Sequence, residues 1–169
     1  MTSRQILFFA VALLSAPARA AEPQTWCASA ERELFSCTFS NKKVASLCAT
    51  PDWTRSSGSL QYRFGKPQNP EPEMTYPATG NHSANFRAMS SDLLDQKGNE
   101  RSVWLSFQVG KYRYVIQDFE RQAIHRQIIK VVRDETLLQT LVCDKNTSLL
   151  SRQREKILYL LDEDEFDER

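Results

Sequence analysis

The stretch SVWLSFQVGKYRYVI, residues 102–116, has a period of two and a turn in its middle. Val103, Leu105, Phe107 and Val109 fall on one face of an extended chain, because successive side chains of a strand point to opposite sides. Gly110-Lys111 then forms a two-residue connection with glycine first, the order a type II′ hairpin turn requires. Tyr112, Tyr114 and Ile116 return on the same face, and this register sets Phe107 opposite Tyr114 as an aromatic cross-strand pair. The segment is an antiparallel hairpin with one face committed to a core.

Working outward, the same alternation recurs. Glu33 to Phe39 and Lys43 to Ala49 flank the polar turn Ser40-Asn41-Lys42. Leu60, Tyr62 and Phe64 alternate with Gln61 and Arg63. Lys66 to Pro72 contains three prolines, which lack the N–H a central strand must donate, so it is loop or edge. Glu73 to Tyr76 reads as a short edge strand, and Phe86 to Leu94 is ambiguous. Ala123 to Val132 and Thr136 to Cys143 form a further hairpin around Arg133-Asp134-Glu135. About eight short strands with turn signals between them predict an all-β fold, an antiparallel sandwich or small barrel. Beyond Cys143 the period changes. Asn146-Thr147-Ser148 offers helix-capping side chains, and Leu150, Ile157, Leu158 and Leu161 recur at helical spacing, so a C-terminal helix is expected over 149–161. The expected organisation is a leader over 1–20, a disulfide-stabilised β domain over 21–145, and a helix with an acidic tail over 146–169.

The N-terminus has the three-part pattern of an export signal. Arg4 gives the positive start, Ile6 to Leu14 an apolar run, and Ala18-Arg19-Ala20 the small residues read by a signal peptidase, which places cleavage before Ala21. The run is well short of the ~20 apolar residues a membrane-spanning helix needs, and no later stretch reaches that length. Gln24-Thr25-Trp26 before Cys27 is not the small-residue context of a lipid anchor. A soluble periplasmic or secreted product is therefore expected.

Removing Arg4 and Arg19 takes 22 basic residues to 20, against 21 acidic ones. That balance lacks the basic excess of a nucleic-acid binder. The four cysteines, Cys27, Cys37, Cys48 and Cys143, are an even set in an exported chain and read as two disulfides. Three pairings exist. Cys37–Cys48, stapling the first hairpin, with Cys27–Cys143 is the preferred one. Zinc is disfavoured, since there is no CxxC pair and His82 and His125 stand apart. No metal or other cofactor is expected.

No catalytic motif is visible: there is no Gly-x-Ser-x-Gly elbow and no phosphate-cradling loop. A spatially assembled site would need His82 or His125 beside a carboxylate, and the chain is read as not an enzyme. The most distinctive segment is SSGSLQYRFG, residues 56–65. Small residues let a loop approach a partner closely. Gly58 is one of these small residues, Ser57 and Ser59 have hydroxyls to donate to carboxylates, Arg55 and Arg63 can add a charged fork, and Tyr62 can brace the loop from below. The competing structural reading is a turn entering a strand, with Tyr62 and Phe64 in the core. The tail from Asp162 to Glu168 is a run of like charge, ordinarily solvated. It lacks the spaced ligands of a calcium loop, and charge of this kind speeds association with a basic partner more than it tightens it.

The run Leu34-Phe35-Ser36-Cys37, then Ser46-Leu47-Cys48, then Ser57-Gly58 leading to Leu60-Gln61-Tyr62-Arg63-Phe64-Gly65, with Asp164-Glu165-Phe166-Asp167 at the end, resembles a family of small exported proteins of Gram-negative bacteria. The resemblance covers most of the chain after the leader and implies location and fold. Ser57-Gly58 followed by Tyr62 is also similar to the loop of periplasmic lysozyme inhibitors, small disulfide-bearing β proteins that insert a Ser-Gly-x-x-Tyr loop into the enzyme's cleft. The spacing here is one residue longer, and the inhibitors' second motif with its basic residue has no clear counterpart. What these resemblances imply is an envelope protein that binds a protein partner, in the narrower reading a lysozyme, occluding its cleft with Ser57 and Ser59. The rival readings are an immunity protein against a periplasmic toxin and a non-catalytic structural or assembly factor.

Overall fold

The structure is a computed structural model, and it describes residues 25–79, 83–95, 98–122, 124–146 and 150–163. The leader, His82 and the tail beyond Glu163 lie outside the described residues. The chain runs through β1 (Arg32–Thr38), β2 (Val44–Ala49), β3 (Leu60–Gly65), β4 (Met74–Tyr76), β5 (Phe86–Asp95), β6 (Gly98–Val109), β7 (Tyr112–Arg121), β8 (Ile124–Arg133), β9 (Thr136–Val142), the two-residue β10 (Lys145–Asn146), α1 (Arg154–Leu160) and the two-residue β11 (Asp162–Glu163). Two sheets form, in the orders β10-β1-β2-β3-β4 and β11-β5-β6-β7-β8-β9. Pairing is antiparallel except where β11 lies parallel to β5. The architecture is an all-β sandwich with one C-terminal helix, as the alternation predicts. Phe86–Leu94, ambiguous in sequence, is strand, so nine main strands form rather than about eight.

The deciding hairpin has the expected register: Phe107 lies opposite Tyr114, with ring centroids 5.1 Å apart and planes 4° from parallel. Gly110 takes φ 58°, the left-handed value that the first turn position demands. Tyr62 reaches across from the other sheet, 4.9 Å from the Phe107 ring. Phe35, Leu47, Leu60, Leu105, Ile116 and Ile129 are among the other residues of the interlayer core. Leu150, Ile157, Leu160 and Leu161 belong to that same core. The C-terminal segment therefore packs into the core shared by the two sheets. The helix is shorter than expected: a 3-10 turn at Ser151–Gln153 precedes the seven residues of α1. Residues 147–149, which include two of the capping candidates, lie outside the described residues, and Asn146 sits in β10.

The disulfides differ from the preferred pairing. Cys27 joins Cys48, and Cys37 joins Cys143. Register excludes Cys37–Cys48, since Cys37 faces Ala45 while Cys48 faces Glu33. Three residues of strand, about 10 Å, separate Cys48 from the position opposite Cys37, beyond the ~7 Å limit between bridged Cα atoms. Cys143 reaches Cys37 because the chain leaves β9 for the other sheet, where β10 pairs with β1 and the Asp144 N–H donates to the Thr38 carbonyl at 2.9 Å. Cys27 reaches Cys48 because the N-terminal arm lies on the outer face of β2. There the Trp26 N–H donates to Ser46 Oγ at 3.0 Å and the Trp26 indole to the Gly65 carbonyl at 3.3 Å. This cover explains why every residue of β2 is buried.

Candidate functional site

The loop between β2 and β3 is held by its own hydroxyls. At its neck the Thr50 N–H donates to the Ser59 carbonyl at 3.0 Å, and the Ser59 N–H donates to Thr50 Oγ1 at 2.9 Å. Inside, Thr54 and Ser57 close a turn. The Thr54 N–H donates to the Ser57 carbonyl at 2.9 Å, while Thr54 Oγ1 accepts from the N–H groups of Ser57 (3.0 Å) and Ser56 (3.3 Å). Ser57 Oγ donates to the Asp52 carbonyl at 3.0 Å and lies 2.7 Å from Thr54 Oγ1. With its proton on Asp52, Ser57 accepts from the Thr54 hydroxyl. Gly58 is required twice over. Its φ is +72°, and a Cβ there would lie 2.5 Å from the Trp53 Cα. Trp53 is buried beneath the loop, and its indole donates to Ser83 Oγ at 2.8 Å. Ser83 Oγ donates in turn to the Thr54 carbonyl at 3.2 Å.

The six residues singled out from sequence are therefore divided. Arg55, Ser57, Gly58 and Ser59 share this loop. Tyr62 is buried between the sheets, where loss of hydration holds its phenol far above the ordinary tyrosine range. It packs in the interlayer core against Phe107 and Tyr114 and is not exposed to a partner. Arg63, one residue on, points to the opposite face, as strand periodicity dictates. There it grips Glu31 with two hydrogen bonds of 2.6 and 2.8 Å, and also donates to the Trp26 carbonyl and Gln61 Oε1. The guanidinium beside Glu31 holds that carboxyl below its usual range, against the opposing effect of burial. Arg63 is an anchor for the N-terminal arm. The serine expected to donate to a partner's carboxylate donates inward instead. The side chains the loop exposes are Pro51, Asp52, Thr54, Arg55 and Ser56.

Sequence reasoning missed the loop's neighbour. Arg55 Nη2 donates to the Tyr159 carbonyl at 3.1 Å, and Arg55 and Arg87 approach the two oxygens of Asp162 at 3.6 and 3.5 Å. Tyr159, on the outward side of α1, is 77% exposed. The only sequence signal for it is negative, since Tyr159 falls outside the apolar stripe of Ile157 and Leu161. Beyond the 83–85 turn, a cavity of about 340 Å³ is lined by Tyr76, Asn85, Arg87, Ser106, Gln108 and Arg113, among others.

His125 does stand beside a carboxylate: its Nε2 lies 2.5 Å from Asp118 Oδ1. Asp118 is buried, and its other oxygen accepts the Ser151 N–H at 3.0 Å. The pair clamps the C-terminal segment to β7. His125 lines neither the cavity above nor the larger one beside α1. Among the described residues no group of three His, Cys, Asp or Glu side chains is placed to hold a metal ion, and none of the helices is long and apolar enough to cross a membrane. Comparison with protein-family models, with curated proteins and with solved structures gives no match.

Proposed function

We propose that this is an exported envelope protein that acts by binding another protein, with the 50–59 loop as its contact element and Arg55 and Tyr159 as its anchors. The observation that carries this reading is the loop's internal hydrogen bonding. A loop already fixed in one shape avoids the ordering cost that weakens binding by flexible segments. Arginine and tyrosine are the residue types that most often dominate interface energies, and here the Arg55 guanidinium is bonded to the tyrosine's own carbonyl. Two disulfides fit an oxidising compartment, and the N-terminal pattern Arg4, Ile6–Leu14, Ala18-Arg19-Ala20 supports export.

The narrower reading is occlusion of a cell-wall hydrolase of the lysozyme class. Because Ser57 is engaged internally, the groups offered to such a cleft are Arg55, Ser56 and Thr54, with Arg55 the natural partner for a catalytic carboxylate. Pull-down from envelope extract with the processed protein tests the broad reading. A specific partner is expected, and its capture should fall at least tenfold with Arg55→Ala or Tyr159→Ala. A partner retained equally by both variants removes the loop from the interface. Lysozyme assays at micromolar protein test the narrow reading, and failure to inhibit any lysozyme class eliminates it.

A further inference from the structure

Three of the four sheet edges are protected. The β5 edge carries β11 and the β1 edge carries β10. At the remaining edge of the first sheet, β4 is only three residues long and lies between Pro72 and Pro77. The fourth edge is β9, and it differs in every respect. It is seven residues long, TLLQTLV, with neither charge nor proline. Residues 136–140 are all exposed, Leu137 at 54%, and Val142 is 56% exposed. Among the described residues no strand lies beyond it. Alternate residues of an edge strand direct both N–H and C=O away from the sheet, a template for another strand. Natural proteins ordinarily blunt such an edge with lysine, proline or a cover. Here the one irregularity is a bulge at Leu138, where β8 passes from Val131 to Val132 while β9 passes from Gln139 to Leu137.

We infer that β9 is a self-association edge, pairing antiparallel with β9 of a second copy of this chain about a two-fold axis. The sequence is complementary to its own reverse. With the axis at Gln139, Leu137 meets Leu141 of the mate, Leu138 meets Thr140, Thr136 meets Val142, and the two Gln139 amides meet each other. A two-fold axis brings each residue type against its own surroundings, so a charged edge would repel itself, whereas β9 brings no like charges together. A foreign peptide fits less well, because neither of the two cavities described is lined by a β9 residue, and pockets of that kind are what select a peptide's side chains. One strand of this length covers far less than the ~1,000 Å² of a stable interface, and the bulge interrupts its regularity. The association is therefore weak and set by concentration.

Sedimentation velocity on the disulfide-bonded, processed protein, from about 5 to about 500 µM, tests this. The weight-average mass is expected to climb toward twice the monomer, and the β9 amides to exchange more slowly as concentration rises. Thr140→Lys and Leu138→Lys, both at exposed positions, should hold the mass at the monomer value while circular dichroism shows an unchanged fold. Tyr159→Ala should leave the climb intact. A monomer at every concentration overturns the inference, as does self-association that persists undiminished in both lysine variants. An edge that captures extended foreign peptides without self-pairing overturns it as well.

Discussion

Arg63 and Glu31 show how one side chain can hold two parts of the chain at once. The pair joins β3 to the arm that carries Trp26 and Cys27. Glu31 is less easily protonated in the folded state than in the unfolded chain, mainly because of its hydrogen bonds to Arg63. Its contribution is therefore complete above the unfolded value near 4.5 and is lost as pH falls through the lower folded value. Urea titrations between pH 7 and pH 3 should show stability dropping over the acid limb, and Glu31→Gln should flatten that limb. An acid limb unchanged by the substitution would show that Glu31 gains nothing from Arg63. At this scale the sequence was partly readable. The alternation put Tyr62 and Arg63 on opposite faces, which already separates two residues assigned to one site. It could not show that the Ser57 proton turns inward, because a hydroxyl's partner depends on loop closure at Thr50 and Ser59.

At the scale of elements, the hairpins follow their turn chemistry unequally. Gly110 meets the demand of its turn, but the β8–β9 turn has Asp134 and Glu135 both at positive φ, 47° and 63°. That is the backbone of a type I′ turn, which favours Asn-Gly or Asp-Gly. Glu135→Gly should raise stability by about 0.5–1 kcal/mol, the relief of left-handed strain less the entropy of an added glycine. Thermal unfolding provides the measurement, and a lower midpoint would refute the turn assignment. The strands were legible because a period of two survives any tertiary context that buries one face. The helix was legible as a stripe but not in length, since its first turn tightens to 3-10 geometry around the Ser151–Asp118 contact.

Across the whole molecule the two disulfides have unequal reach. Cys27–Cys48 spans 21 residues and Cys37–Cys143 spans 106. Loop-closure entropy assigns about 3 kcal/mol to the shorter and about 4.7 kcal/mol to the longer. The Cys37→Ala, Cys143→Ala double variant should therefore lose more stability in urea than Cys27→Ala, Cys48→Ala, and equal losses would count against an entropic origin. The pairing was not readable from the chain. Spacing suggests a local staple, whereas the pairing is decided by where β9 crosses between sheets and by a register that sets Cys48 against Glu33. The exposed edge at β9 was equally hidden, since TLLQTLV looks like any core strand until its neighbours are counted.

The Cys37–Cys143 bond also turns most of the β framework into a covalent ring, from β1 through the end of β9. A single protease cut anywhere on that ring, for example in the proline-rich stretch at 66–72, opens the circle without releasing either piece. A nicked molecule should run as one band on a gel without reductant and split into two fragments once thiol is added. In a compartment populated by proteases, a clipped copy keeps its two halves in register.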